Sequence, residues 1–222
     1  MNIQVEELSK LLLDGKVMKA WTFLQSSASG KNTMEFYDMI KEAMYHIGEL
    51  WEENRITVAE EHVASHVCKN LLSYKYYHSL KQTYHVIPLK KKKAMFFCVE
   101  GEEHDLGVHI VSNYFHENGW DTQCLGRNLK LEHALQFAEK FKPEVIGISV
   151  NIVYNLPLVN KYIEVLEELP FGPVIMVGGK LAASHDLEFH CPPGTMIIRS
   201  LTEIEDLINY TGTVQHGNAI NV

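Results

Sequence analysis

A chain of 222 residues, 46% hydrophobic and 22% charged, has the composition of a soluble globular protein with room for one large domain or two small ones. A formal net charge of -8 disfavours the broad basic footprint that binding to nucleic-acid backbones requires. The N-terminus has no positively charged segment followed by an unbroken apolar run, so neither a secretory signal nor a membrane anchor is expected, and the cytoplasm is the default compartment.

The first third of the chain reads as helix. Apolar residues recur at three- and four-residue intervals (Leu8, Leu11, Leu12, then Val17, Trp21, Leu24), and no proline occurs before Pro88. Gly15 and the run Ser26–Gly30 interrupt the pattern, Asn32-Thr33 supplies an N-cap, and Thr57 with Glu60 makes a capping box. Four helices are predicted, roughly over 3–14, 16–27, 33–53 and 57–81, forming a bundle within residues 1–85. Residues 82–92 read as a linker because the periodicity stops, Pro88 appears and charge accumulates; the lysines Lys90–Lys93 read as a solvated run.

From residue 86 to 222 the rhythm changes to strand alternating with helix. The runs Ala94–Val99, Asp121–Leu125, Val145–Val150, Val174–Val177 and Met196–Ile198 predict strands, and Leu131–Phe141 and Leu158–Leu169 predict crossover helices. This spacing implies a parallel sheet covered on both faces. The fold class is therefore α/β, an N-terminal four-helix bundle followed by a Rossmann-like (flavodoxin-like) parallel sheet domain, with a polar tail from Gly212 expected to fray. The cysteines Cys68, Cys98, Cys124 and Cys191 lack C-x-x-C spacing and read as buried free thiols.

Two clusters carry chemistry. In Glu102-Glu103-His104-Asp105-Leu106-Gly107 a histidine sits between carboxylates just after the first predicted strand, where ligands of open α/β sheets gather. A neutral imidazole is a common metal ligand, and a carboxylate such as Glu102 can hold its second nitrogen; Gly107 lets a bulky ligand approach the backbone. The second cluster is Trp51 followed after nine residues by Glu61-His62, placed where two helices meet at a turn. His104 and Asp105 as an acid–base pair have no evident orienting partner, so no independent enzymatic activity is expected.

With Glu102-x-His104-x-x-Gly107, Ser149 in Gly147–Val150 and then Gly178-Gly179, the sequence resembles the cobalamin-binding Rossmann-like domain shared by methionine synthase, corrinoid methyl carriers, mutases and cobalamin photoreceptors. The resemblance implies that His104 is the lower axial cobalt ligand, displacing the cofactor's dimethylbenzimidazole, with Glu102, Asp105 and Gly107 completing the loop's cofactor contacts. It implies that Ser149, with Val150 beside it, bonds the buried nucleotide tail and that Gly178 and Gly179 let the tail pass along the backbone. That pattern often has leucine two residues after the serine; this chain has Asn151.

The spacing of Trp51 and Glu61-His62 resembles that of the CarH-type adenosylcobalamin photoreceptors. By that resemblance Trp51 packs over a 5′-deoxyadenosyl group, Glu61 contacts its polar atoms, His62 supports the upper pocket, and the cofactor is adenosylcobalamin. Those photoreceptors typically begin with a MerR-type DNA-binding domain, which has no counterpart before Asn2, so direct DNA binding is not expected; some also carry histidine where this chain has Glu52. The leading expectation is an adenosylcobalamin light sensor that changes conformation or assembly on photolysis and signals through a protein partner or as a homo-oligomer. The alternatives are a corrinoid methyl carrier serving separate methyltransferases and a cobalamin storage module.

Overall fold

In a computed structural model, which describes residues 3–27, 33–83 and 91–213, the helical pattern becomes α1 (Ile3–Leu13), α2 (Val17–Ser27), α3 (Thr33–Glu52) and α4 (Val58–Thr83). The chain divides into two compact units, Met1–Val86 and Ile87–Val222. In the first unit Leu8, Leu12, Ala20, Leu24, Tyr37, Ile40, Ala43, Ile47, Ala64 and Leu71 are fully buried, so each helix gives one apolar stripe to a shared core.

Local chemistry sets the helix ends. Gly15, at φ 69, ends α1 in the left-handed region, and the amides of Gly15 and Lys16 return to the carbonyls of Leu12 and Leu11. Asn54 plays the same part after α3, at φ 56, with the amides of Asn54 and Arg55 bonded to the carbonyls of Trp51 and Leu50. Three residues later the capping box is in place: Thr57 N donates to Glu60 Oε2 at 2.7 Å and Glu60 N to Thr57 Oγ1 at 3.3 Å. These hydrogen bonds hold the Glu60 carboxyl below its ordinary value.

The second unit is a five-stranded sheet in the order β2-β1-β3-β4-β5, every pair parallel. The strands are β1 (Lys93–Val99), β2 (Asp121–Leu129), β3 (Val145–Ser149), β4 (Val174–Gly178) and β5 (Met196–Ile197). They are separated by α5 (Leu106–Glu117), α6 (Leu131–Phe141), α7 (Leu156–Glu167) and the short α8 (Lys180–Ser184), and α9 (Leu201–Thr213) follows. Alternate residues of β1 serve opposite layers. Met95, Phe97 and Val99 join Ala134, Ala138, Tyr162, Ile163 and Leu166 of α6 and α7 in one core, while Phe96 packs on Phe115 of α5, ring centroids 5.0 Å apart. The chain leaves β1 toward β2 on one side and places β3 on the other, so the loops after β1 and β3 flank the switch point where open α/β sheets bind ligands.

Three expectations shift in detail. Strand β2 runs on to Leu129, beyond the expected Leu125, because register shifts against β1 and positive φ at Gly126 (72) and Asn128 (54) absorb the break in alternation. Helix α7 begins at Leu156 rather than Leu158 because Pro157 fits the first helical turn, where no amide is needed. Lysines 92 and 93 are not simply a solvated run: Lys92 Nζ lies 5.5 Å from the centroid of the Trp120 ring, and Lys93, inside β1, lies 5.0 Å from that of Phe141 and donates to its carbonyl at 3.2 Å. Helix α9 reaches Thr213, past the expected start of the tail, while residues 84–90 and 214–222 lie outside the described residues. Among the described residues no helix is long and apolar enough to cross a membrane.

Thr57→Ala removes one side of the capping box and is expected to cost about 1 kcal/mol, read as a lower urea midpoint with an unchanged slope.

Candidate cofactor site

The loop after β1 is built around Glu102, which has no exposed surface. Its Oε1 lies 2.6 Å from His104 Nδ1 and accepts from His104 N at 3.1 Å; its Oε2 accepts from Asn151 N at 3.0 Å and Asn155 Nδ2 at 3.2 Å. Burial pushes the Glu102 carboxyl up, but the hydrogen bonds from His104 and Asn151 outweigh it and hold it below the usual carboxylate value. An ionised carboxylate only accepts, so the network assigns the proton of the neutral ring to Nδ1 and puts the lone pair on Nε2. The His104 side chain is 65% exposed.

The loop is tied from the other side as well. Asn128, in the left-handed region at the end of β2, donates its amide to the Glu102 carbonyl at 3.1 Å and accepts from Gly101 N through Oδ1 at 2.9 Å. Tyr162 of α7, fully buried, donates its hydroxyl to the Leu129 carbonyl at 2.6 Å and receives Glu100 N at 3.4 Å. The exposed pair Arg127–Glu103 at 3.2 Å adds little.

Gly107, Ser149 and Gly179 come together although they follow three different strands. A Cβ on Gly107 would stand 3.7 Å from Ser149 Oγ, and one on Gly179 would stand 3.0 Å from the same atom and collide with the Val150 carbonyl. Gly179 also has φ 116, a conformation that side chains rarely adopt. The Ser149 hydroxyl, on a residue only 5% exposed, is thus bordered by two positions kept free of side chains. Gly178 is an ordinary strand residue, paired with Ser149, whose carbonyl accepts from Val150 N. Val150, which follows Ser149, has a fully buried side chain in the core; its amide is bonded to the Gly178 carbonyl and its own carbonyl accepts from Leu181 N at 3.4 Å.

Asp105, 6% exposed, does not sit idle beside His104. Its Oδ2 lies 3.4 Å from His109 Nε2, and His109 Nδ1 lies 3.4 Å from Cys124 Sγ. The Asp105 hydrogen bond, then that of Cys124, pushes the His109 imidazole up to about 9 against the cost of burial. This row of side chains was not legible in the sequence, because His109 and Cys124 are fifteen residues apart on α5 and β2. Cys124 and Cys191 are half-buried rather than buried, unlike Cys68 and Cys98. Burial, helped by the Glu61 charge, pushes the Cys68 thiol up to about 12.

In the bundle Trp51 lies in the last turn of α3 and is 49% exposed. Glu61 stands in the first turn of α4, where Oε1 accepts from Ser65 Oγ at 2.6 Å and Oε2 lies 3.8 Å from His62 Nε2. His62 is 74% exposed. The tight turn through Asn54 and the capping box at Thr57 set these residues at the corner joining α3 to α4.

The donor set suits a macrocyclic cobalt cofactor. One oriented imidazole with a buried carboxylate behind it is a donor set that would hold such a group through a single ring nitrogen. Gly107 and Gly179 leave the backbone beside Ser149 Oγ without side chains.

Comparison with known proteins agrees with this chemistry. Residues 92–200 match the B12 binding domain family, and residues 4–75 match a second family also described as a B12 binding domain. The chain is therefore a cobalamin-binding-domain protein, in both its helical and its α/β part. It is 31% identical over 83 residues to dimethylamine corrinoid protein 1 of Methanosarcina acetivorans, covering 36% of this chain and 39% of that protein. It is 24% identical over 152 residues to the HTH-type transcriptional repressor CarH of Myxococcus xanthus, covering 68% of this chain and 48% of that protein. The aligned segments thus take in less than half the length of either relative. The monomethylamine corrinoid protein of Methanosarcina barkeri has the same fold, with a TM-score of 0.71 at 18% identity over 90% of this chain and 94% of that one.

The His109 ring has a higher pKa folded than its ordinary 6.5, so its contribution to stability is complete below about pH 6.5 and is lost as the pH rises through about 9. With a ring one-third exposed, His109→Gln is expected to lower stability by about 1 kcal/mol near pH 6 and by almost nothing near pH 10, measured by urea unfolding at both.

Proposed function

We propose that this chain is a corrinoid carrier: it binds cobalamin through its α/β unit and presents it to separate methyltransferases, whose own residues perform the bond making. The observation that carries this is the His104 ring, backed at 2.6 Å by the buried Glu102 and with its side chain 65% exposed. When bound, cobalamin supplies a cobalt centre able to accept and release a methyl group. In this reading His104 Nε2 would hold the cobalt, Glu102 would fix the tautomer and raise ring basicity, and Ser149, Gly107 and Gly179 would hold the nucleotide tail. The match to a dimethylamine corrinoid protein supports this reading and makes methylamine-type methyltransferases the first partners to try. The four free thiols fit a reducing cytoplasm.

One observation favours a second reading, an adenosylcobalamin light sensor. Trp51, Glu61 and His62 share one helical corner, and the CarH match spans 68% of this chain. There Trp51 would pack on the adenosyl group, Glu61 and His62 would line its pocket, and loss of that group on illumination would shift the bundle.

The two readings separate on one set of samples, the full chain loaded with methylcobalamin or adenosylcobalamin in the dark. A carrier yields its methyl group to a methylamine-type methyltransferase and elutes unchanged from size-exclusion chromatography after green light. No methyl transfer, together with a light-dependent change in elution of the adenosyl form, reverses the assignment. In either reading His104→Ala is expected to weaken cobalamin binding by at least about tenfold and to remove the imidazole-ligated absorption spectrum.

A further inference from the structure

Asn151 stands where the resembled pattern often has leucine, and its amide reaches three loops. Oδ1 accepts from Lys180 N at 2.8 Å, while Nδ2 donates to the His104 carbonyl at 3.1 Å and to Ser149 Oγ at 3.3 Å. Its backbone amide also donates to Glu102. The orientation of the side-chain amide is over-determined: the Lys180 N–H only donates, so the oxygen must face it, and the His104 carbonyl only accepts, so the nitrogen must face that.

This orientation has a consequence for Ser149. A hydroxyl has one proton to give and two lone pairs, and an amide nitrogen cannot accept. Ser149 Oγ is therefore the acceptor in its contact with Asn151, and its own proton is left for a further partner. Leucine at residue 151 would leave the hydroxyl free to rotate; asparagine sets it as a donor. The hydroxyl borders the positions of Gly107 and Gly179 that carry no side chain, which is where a tail would run.

We propose that Asn151 is a positioning residue for the cofactor tail: it fixes Ser149 as a hydrogen-bond donor, and so favours corrinoids whose tail base presents a bare ring nitrogen to that hydroxyl. The proposal rests on the cobalamin-binding reading above. The same amide ties the His104 loop to β3 and to the start of α8, so the tail and the lower ligand are registered by one side chain.

The test is the ratio of affinities for cobalamin and for cobinamide, which has the corrin but no nucleotide base, measured by absorbance titration of the full chain. Any loosening of the His104 loop affects both corrinoids, whereas the ratio reads only the tail. Asn151→Leu is expected to lower the preference for cobalamin about fivefold or more, the size of one hydrogen bond. Asn151→Asp is nearly isosteric but accepts where asparagine donates, drawing the serine proton toward itself, and is expected to lower the ratio at least as much. In the Ser149→Ala background neither substitution should change the ratio further. A wild-type chain that binds both corrinoids with a ratio insensitive to Asn151, or effects that add independently to Ser149→Ala, would overturn this inference alone. A wild-type chain that binds neither corrinoid overturns the cobalamin reading and this inference with it.

Discussion

A carboxylate without exposed surface is costly to bury, and Glu102 is tolerated because N–H groups meet both of its oxygens. Those donors come from its own loop and from the loop after β3, so the carboxylate pins together two segments that lie far apart in sequence. It also decides which nitrogen of His104 carries the proton. Orientation of the ring, choice of tautomer and closure of the loop are thus one interaction, and a ligand site assembled in this way needs little rearrangement to take a metal.

Sheet topology supplies the rest. With β1 between β2 and β3, the loop after β1 has a neighbour on each side, and each neighbour holds it through asparagine: Asn128 from β2, Asn151 and Asn155 from β3. Asparagine suits these places because one side chain offers both a donor and an acceptor, and because it tolerates the left-handed backbone at Asn128. Gly179 brings the loop after β4 against the Val150 carbonyl, closing the cradle around Ser149. The switch point of the sheet is therefore a set of four loops held in register.

The helical unit contributes by a different route. Its corner residues Trp51, Glu61 and His62 stay accessible to differing degrees, while the core behind them is apolar and closed. The chain is similar both to dimethylamine corrinoid proteins and to the HTH-type transcriptional repressor CarH, so the fold by itself leaves function open.

The sequence by itself determined the elements and their class. Apolar periods of three to four and of two are local properties, so four helices and five strands were legible, as was the capping box at Thr57. The pairing of Glu102 with His104 was legible too, because two residues of separation within one loop leave little freedom. The extension of β2 and the row Asp105–His109–Cys124 were not, since each depends on which strand lies beside which. Tertiary structure alone decided that Asn128, Asn151 and Asn155 hold the His104 loop and that Gly107, Ser149 and Gly179 converge. Hydrogen bonds between loops depend on distances set by the sheet, and a linear pattern records the residue types while leaving those distances unstated.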